Sequence, residues 1–115
     1  AFAQTLTYQP DHLLAGNNFA WIRATHPNEG TRDAELALRI AQAINRRTKH
    51  QNPNFLSTLA VAQAGYGRFE KAVETTDAAL AILQRDPAKN AEEIAKHKER
   101  RALFVERKPF FDNLR

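Results

Sequence analysis

The apolar positions of the chain recur at helical spacing most clearly between Phe55 and Leu80, on both sides of Gly65-Tyr66-Gly67. One helical face collects the apolar and small residues of each half: Leu56, Leu59, Ala60 and Gln63 before the turn, and Phe69, Ala72, Val73, Thr76, Ala79 and Leu80 after it. Two amphipathic helices joined by a short glycine turn predict an antiparallel hairpin. The small side chains of Ala60, Ala72 and Ala79 would let its two backbones approach closely.

Three further helices are predicted from the same spacing. The first covers residues 12–25, and its stripe is Leu14, Asn18, Phe19 and Ile22. The second begins at Thr31 or Asp33 and continues to Thr48, with an inward face of Leu36, Ala37, Ile40, Ala41 and Ile44. The last covers residues 88–106, and its face is Ala91, Ile94, Ala95, Ala102 and Val105, with Lys98 in the same stripe. Asn52-Pro53 has the pattern of a helix N-cap followed by a first-turn proline.

Composition sets limits on this helical pattern. A chain of 115 residues, 43% of them apolar, forms one domain at most. The absence of cysteine excludes disulfides, thiolate nucleophiles and zinc–sulfur sites. The net charge of +4 is spread over interspersed charges of both signs, which is weak evidence for a polyanion partner. No apolar run approaches the roughly 18 residues that a membrane span needs. Because the chain lacks methionine and begins inside a helical pattern, we expect a fragment of a longer protein, and its location stays open.

Several residues of the central hairpin carry a resemblance to a known repeat. Leu59-Ala60, Gly67, Phe69, Ala72 and Ala79-Leu80 resemble the tetratricopeptide repeat, a helix–turn–helix unit of about 34 residues. Ala37 lies 35 residues before Ala72, which indicates a second copy. Asn17–Ile22 and Ala24–Pro27 resemble a segment common near the end of long bacterial tetratricopeptide proteins, and Leu103-Phe104 and Lys108-Pro109-Phe110 resemble their ending.

This resemblance implies an all-α fold, in which antiparallel helix hairpins stack as a right-handed superhelix with a C-terminal capping helix. Residues 1–115 would form a single domain. Residues 1–10 would be the second helix of a truncated repeat, 11–48 a repeat with an extended loop, 53–84 a second repeat, 88–106 the capping helix and 107–115 a tail. The family's usual glycine before the closing Lys-Pro is Arg107 here, so we expect no positive φ at that turn.

The resemblance also implies a concave groove lined by the first helix of each repeat. Its residues would be Leu14, Asn17, Asn18, Trp21 and Ala24 from one helix and Asn54, Ser57, Val61 and Ala64 from the next. Chaperone-binding members clamp a terminal carboxylate in this groove, but Ser57 and Val61 stand where their basic residues would be needed, so that activity is not expected. Trp21 is either an anchor that faces a ligand or a residue packed against a neighbouring helix or loop.

The sequence shows none of the usual catalytic or cofactor-binding patterns. His12, His26, His50 and His97 lie on separate predicted segments and lack metal-ligand spacing. Ser57, the only serine, has no Gly-x-Ser-x-Gly context, and no Gly-Lys-Ser/Thr follows Gly65-x-Gly67. We therefore expect no catalytic residue, no cofactor and no metal. The net charge of +3 over residues 89–115 is more typical of a salt-bridged surface than of a phosphate track.

The predicted function is thus a non-catalytic scaffold that binds a protein or peptide partner, as the C-terminal segment of a larger protein. Three alternatives stay open: a structural or regulatory cap that packs on an upstream enzyme domain, weak nucleic-acid binding through the basic last helix, and a catalytic role. The truncated N-terminal edge, with Phe2, Leu6 and Tyr8, is a candidate for self-association.

Overall fold

A computed structural model of the protein describes residues 10–112. In this part of the chain there are five helices and no strand: α1 (Pro10–Thr25), α2 (Ala34–Arg47), α3 (Pro53–Gly65), α4 (Phe69–Leu83) and α5 (Ala91–Val105). The predicted all-α class is confirmed for these residues. The predicted truncated repeat helix and its self-association edge lie outside the described residues, except for Pro10, which begins α1.

Helices that follow one another along the chain pack on one another, and α1 also packs on α3. Helix α3 is the centre of this arrangement, because every residue from Phe55 to Ala64 is buried. A helix that is apolar on all sides is typical of a core position. Asn45 of α2 strengthens the contact with α3, since its side-chain amide donates to the carbonyl of Phe55 at 2.9 Å. This packing is compatible with a helical solenoid.

The helix N-termini follow local sequence signals. The Asn52 side chain accepts hydrogen bonds from the backbone N–H groups of Asn54 and Phe55, and Pro53 occupies the first helical position. Asp33 caps α2 in the same manner, because its carboxylate accepts from the backbone N–H of Leu36 at 3.1 Å. The predicted N-cap Asn52 is confirmed, and the cap Asp33 is one of the two residues predicted to begin its helix. Each cap satisfies donors that the helix itself leaves unpaired.

Three helices end in the same geometry although their residues differ. After α3, Gly67 has a φ of 90°, and Arg68 N–H donates back to the carbonyl of Gln63. After α2 and α5, the corresponding residues are Lys49 (φ 58°) and Arg107 (φ 60°), and after α2 the next residue, His50, is left-handed as well (φ 57°). The paired backward hydrogen bonds are those of the Schellman motif, which requires a left-handed residue just past the helix. The expectation that Arg107 avoids a positive φ was therefore wrong.

The buried face of α1 differs from the predicted stripe. Leu14 and Ile22 are 56% and 39% exposed, Asn18 is exposed, and Phe19 is 37% exposed. The side turned to the core instead carries small residues: Gly16, Ala20, Ala24 and Thr25. Small side chains allow close approach of helix backbones, so α1 can pack on both α2 and α3. The positions of the large apolar side chains therefore did not predict the buried face of this helix.

The last helix is also rotated relative to its prediction. Ala91, Ala95 and Ala102 are exposed, Val105 is 58% exposed, and Lys98 is exposed as well. The buried residues of α5 are His97, Arg100 and Phe104. A charged residue can be buried when its donors and its charge find partners. Arg100 has such partners on other elements, and they cannot be inferred from the sequence of α5 alone.

Candidate functional site

An open cleft of about 370 Å³ lies between α1, α3 and α5. Ten residues line it: Leu14, Asn17, Asn18 and Trp21 from α1, Asn54, Ser57 and Thr58 from α3, and Glu93, Lys96 and Arg100 from α5. Six of the residues assigned to the groove from the sequence are thus brought together by the fold. Whether the cleft binds a partner stays a prediction.

Val61 does not line the cleft. It is 1% exposed and belongs to the hydrophobic core, as do Ala24 and Ala64 at the same exposure. The physical reason is that α3 is covered on all sides, so only its first turns reach the open surface. Ala24 instead lines a separate small cavity with Pro109 and Phe111 of the chain after α5. The predicted groove therefore continues only as far as Trp21.

Arg100 is the most unusual residue of the cleft. Only 9% of it is exposed, and its guanidinium donates to the Ser57 hydroxyl at 2.8 Å. The guanidinium carbon also lies 5.4 Å from the ring centre of Trp21 and 5.5 Å from that of Phe110. Burial lowers the pKa of Arg100 from its usual value, but an arginine side chain stays charged in proteins. Among the described residues it forms no direct ion pair, although the negative charges of Glu93, Asp112 and Glu99 oppose the lowering of its pKa.

His97 lies beside Arg100 on the buried face of α5 and is 2% exposed. Its Nδ1 is 2.7 Å from the carbonyl oxygen of Glu93, a distance that assigns the ring proton to Nδ1 as the donor. Burial lowers the pKa of His97 below its usual value of 6.5, and the positive charge of Arg100 lowers it further. The ring is therefore neutral at neutral pH, and protonation would place two buried cations side by side.

The polar groups of the cleft are only partly satisfied. The side-chain oxygen of Asn17 is buried and has no hydrogen-bond partner among the described residues. Lys96 lies 3.7 Å from Glu93, and both side chains are largely exposed to solvent. An exposed ion pair of this kind contributes little to stability and can exchange partners. The cleft thus presents amide groups and cations that remain available for a ligand.

Trp21 lies at the boundary between the cleft and the chain that follows α5. Its ring centre is 5.9 Å from that of Phe110, and its indole N–H donates to the Asp112 carboxylate at 2.7 Å. Trp21 is half-buried and also lines the cleft. The ring thus packs against the C-terminal chain, and whether Trp21 also anchors a ligand stays a prediction.

Several other basic residues of the last helix and its end are paired, whereas Lys98 is exposed and in no ion pair with a described residue. Arg101 contacts Asp77 at 2.6 Å, which raises the pKa of Arg101, and Arg107 contacts Glu70 at 3.2 Å. Lys108 lies 3.2 Å from Glu106. Nucleic acids are bound by rows of cations that neutralise successive phosphates. Paired cations spread over the surface of α4 and α5 do not form such a row.

Within residues 10–112, no group of three or more histidine and carboxylate side chains could hold a metal ion. In that range no helix combines the length and the apolar character needed to cross a membrane. Comparisons with protein-family models, curated proteins and solved structures found no match. The function must therefore be argued from the cleft itself.

Sequence reasoning missed the contribution of α5 to the cleft, namely Glu93, Lys96 and Arg100. Lys96 and Arg100 are four residues apart and so share a helix face, which was visible in the sequence. The alanines of α5 predicted the opposite face as the buried one. The signal that was missed is that Trp21 and Ser57 can supply a ring and a hydroxyl to a buried Arg100.

Proposed function

We propose that this chain is a non-catalytic interaction scaffold, a tetratricopeptide-like segment of a larger protein, which binds an extended peptide of a partner in the cleft between α1, α3 and α5. The observation that carries the proposal is Arg100, a buried cation without an ion pair at the wall of an open cleft. A buried charge is costly unless it is compensated. The carboxylates of Glu93, Asp112 and Glu99 compensate this charge in part without a direct ion pair, and a carboxylate from a ligand would add one.

The rest of the lining supports a peptide as the ligand. Asn17, Asn18 and Asn54 carry side-chain amides, which can donate to and accept from a peptide backbone at the same time. Leu14, which is 56% exposed, and the ring of Trp21 offer apolar contact. Lys96 and Arg100 against the single carboxylate Glu93 give the cleft one excess positive charge. The preferred peptide therefore carries an acidic side chain or a free C-terminus.

The test is a titration of the protein with arrayed octapeptides of acid-rich, neutral and base-rich composition. Trp21 is the only tryptophan of the chain, so its fluorescence reports on the cleft directly. Lys96→Glu reverses a charge at the cleft, whereas Lys98→Glu makes the same change on the same helix at a different cavity. We expect acid-rich peptides to bind best, and Lys96→Glu to weaken them by roughly tenfold.

The control should leave the affinity within about twofold, because exposed charges away from the contact act weakly. Equal effects of the two substitutions would show that the net charge matters and the cleft does not. Binding of a single-stranded oligonucleotide that weakens steeply with salt would favour the nucleic-acid alternative instead. The alternative of a cap on an upstream enzyme domain stays a prediction.

A further inference from the structure

After α5, the chain turns back and crosses the surface of α1. Helix α5 ends at Val105, and the left-handed conformation of Arg107 just beyond it lets Lys108 N–H donate to the carbonyl of Leu103 at 2.9 Å. Residues 108–112, here called the C-terminal segment, then run without helical structure to the end of α1. There the backbone N–H of Asp112 donates to the carbonyl of Thr25 at 2.8 Å. The segment thus extends over the surface beyond the open cleft.

The C-terminal segment is held by four side-chain contacts, which come from α1, from α5 and from the loop between α1 and α2. Phe110 packs on the ring of Trp21, with the guanidinium of Arg100 5.5 Å from its centre. Phe111 lies 4.3 Å beneath the guanidinium of Arg32 in the loop between α1 and α2. The Asp112 carboxylate accepts the indole N–H of Trp21 at 2.7 Å. Along the segment, the surface therefore holds one aromatic ring beside Arg100, the next ring beneath Arg32, and then a carboxylate at the indole N–H of Trp21.

The same segment is weakly attached. From Pro109 to Asp112 its single backbone hydrogen bond to the rest of the described chain is that of Asp112. Phe111 is 43% exposed, and Pro109 and Phe110 are only half-buried. Segments with few backbone hydrogen bonds and exposed side chains open locally at low cost while the rest of a fold stays intact. An opened segment would uncover Trp21, Arg32 and Arg100 together.

We propose that Trp21, Thr25, Arg32 and Arg100 form a second binding surface, which accepts an extended partner segment of the type aromatic–aromatic–acidic, and that Phe110-Phe111-Asp112 occupies it as an intramolecular ligand. The partner binds when it displaces the C-terminal segment. The surface recognises one ring on Trp21, the next under Arg32, and a carboxylate at the indole N–H. This surface shares Trp21 and Arg100 with the wall of the open cleft but does not depend on a ligand there.

The proposal is tested with the peptide acetyl-Lys-Pro-Phe-Phe-Asp-amide, added to the full chain and to Phe110→Ala/Asp112→Ala, which removes the side-chain contacts of Phe110 and Asp112. The peptide has no tryptophan, so Trp21 emission follows its binding. A tethered ligand competes at an effective concentration near the millimolar range, so the unaltered chain should bind the free peptide weakly. In the double variant we expect at least roughly tenfold tighter binding.

Val105→Ala is the matched control, because Val105 is 58% exposed and makes none of these contacts. It should bind the peptide as weakly as the unaltered chain, and acetyl-Lys-Pro-Ala-Ala-Asn-amide should bind neither protein. Failure of the peptide to bind the folded double variant at millimolar concentration would overturn the proposal. Loss of helical circular dichroism in the double variant would also overturn it, since the segment would then be a fixed part of the core.

The outcome is separable from that of the cleft. Lys96→Glu alters the cleft and touches no residue of the C-terminal segment, so it should leave the affinity of the aromatic–acidic peptide within twofold. A chain that ignores acid-rich octapeptides but binds this peptide in the double variant would refute the cleft and support the second surface. The reverse pattern would refute the second surface alone.

Discussion

Substitution of the left-handed residue at each of the three Schellman ends should change the free energy of unfolding differently. Gly67, Lys49 and Arg107 occupy equivalent positions with φ values of 90°, 58° and 60°. A left-handed conformation costs a residue with a Cβ about 1 kcal/mol, whereas glycine adopts it freely. Glycine should therefore be favoured at all three positions unless a side chain offsets the strain. Lys49 and Arg107 differ in that respect.

The Lys49 side chain makes no hydrogen bond or ion pair with any described residue and is exposed. Lys49→Gly should therefore raise the free energy of unfolding by roughly 0.5–1 kcal/mol, the relieved strain less the greater entropy of an unfolded glycine. Arg107 lies 5.2 Å from the ring centre of Phe69 and 3.2 Å from Glu70. Losing a cation–π contact and an exposed ion pair costs about 1 kcal/mol, so Arg107→Gly should be nearly neutral.

Gly67→Ala reverses the change. A Cβ at Gly67 would meet no atom within 4 Å, so its cost is that of the backbone alone, about 1 kcal/mol. Urea and thermal unfolding followed by circular dichroism would measure all three variants. One kcal/mol corresponds to about 3–6 °C in Tm for a domain of this size. A destabilised Lys49→Gly, or a Gly67→Ala as stable as the unaltered chain, would refute the shared geometry.

Three further predictions concern the core and the buried face of α5. Ala72→Glu and Ala60→Glu should abolish cooperative unfolding, because both alanines are at most 2% exposed and a carboxylate there would have no partner. A normal melting curve for either variant would contradict the packing of α3 on α4. Phe104→Ala should cost about 3–5 kcal/mol by denaturant unfolding, since Phe104 is 1% exposed, whereas Val105→Ala should change stability little. His97 has a lowered pKa when folded, so the unfolded chain binds more protons below pH 6.5 and stability should fall as the pH drops through that value. His97→Leu should remove this acid sensitivity, while His50→Gln, at an exposed site, should retain it.

The helices and their caps could be predicted because their signals are local. Asn52-Pro53 and Asp33 specify helix starts through hydrogen bonds within three residues. Burial of one face of α3, from Leu56 to Gln63, and of the inner face of α2, from Ala37 to Ile44, followed from apolar spacing. These features depend on neighbours along the chain, which a sequence displays directly.

The faces of α1 and α5 could not be predicted in this way. Ala20 and Ala24 are buried while Leu14 is exposed, because close helix packing selects small residues and not the most apolar ones. Arg100 is buried because Ser57, Trp21 and Phe110 meet at one point from three separate elements. Six of the residues assigned to the groove lie at one cleft because their placement depended on the order of the helices. Val61 does not line the cleft because α3 is covered by other helices beyond its first turns.

The central claim, that the cleft between α1, α3 and α5 binds an acidic peptide, is tested most directly by nuclear magnetic resonance. An isotope-labelled chain would be titrated with the best acid-rich octapeptide, and amide and guanidinium shifts would be mapped onto the sequence. The account predicts saturable changes at the side-chain amides of Asn17, Asn18 and Asn54 and at the guanidinium of Arg100, with the exposed face of α4 unaffected. Saturable changes confined to α4, or none at Arg100, would contradict it.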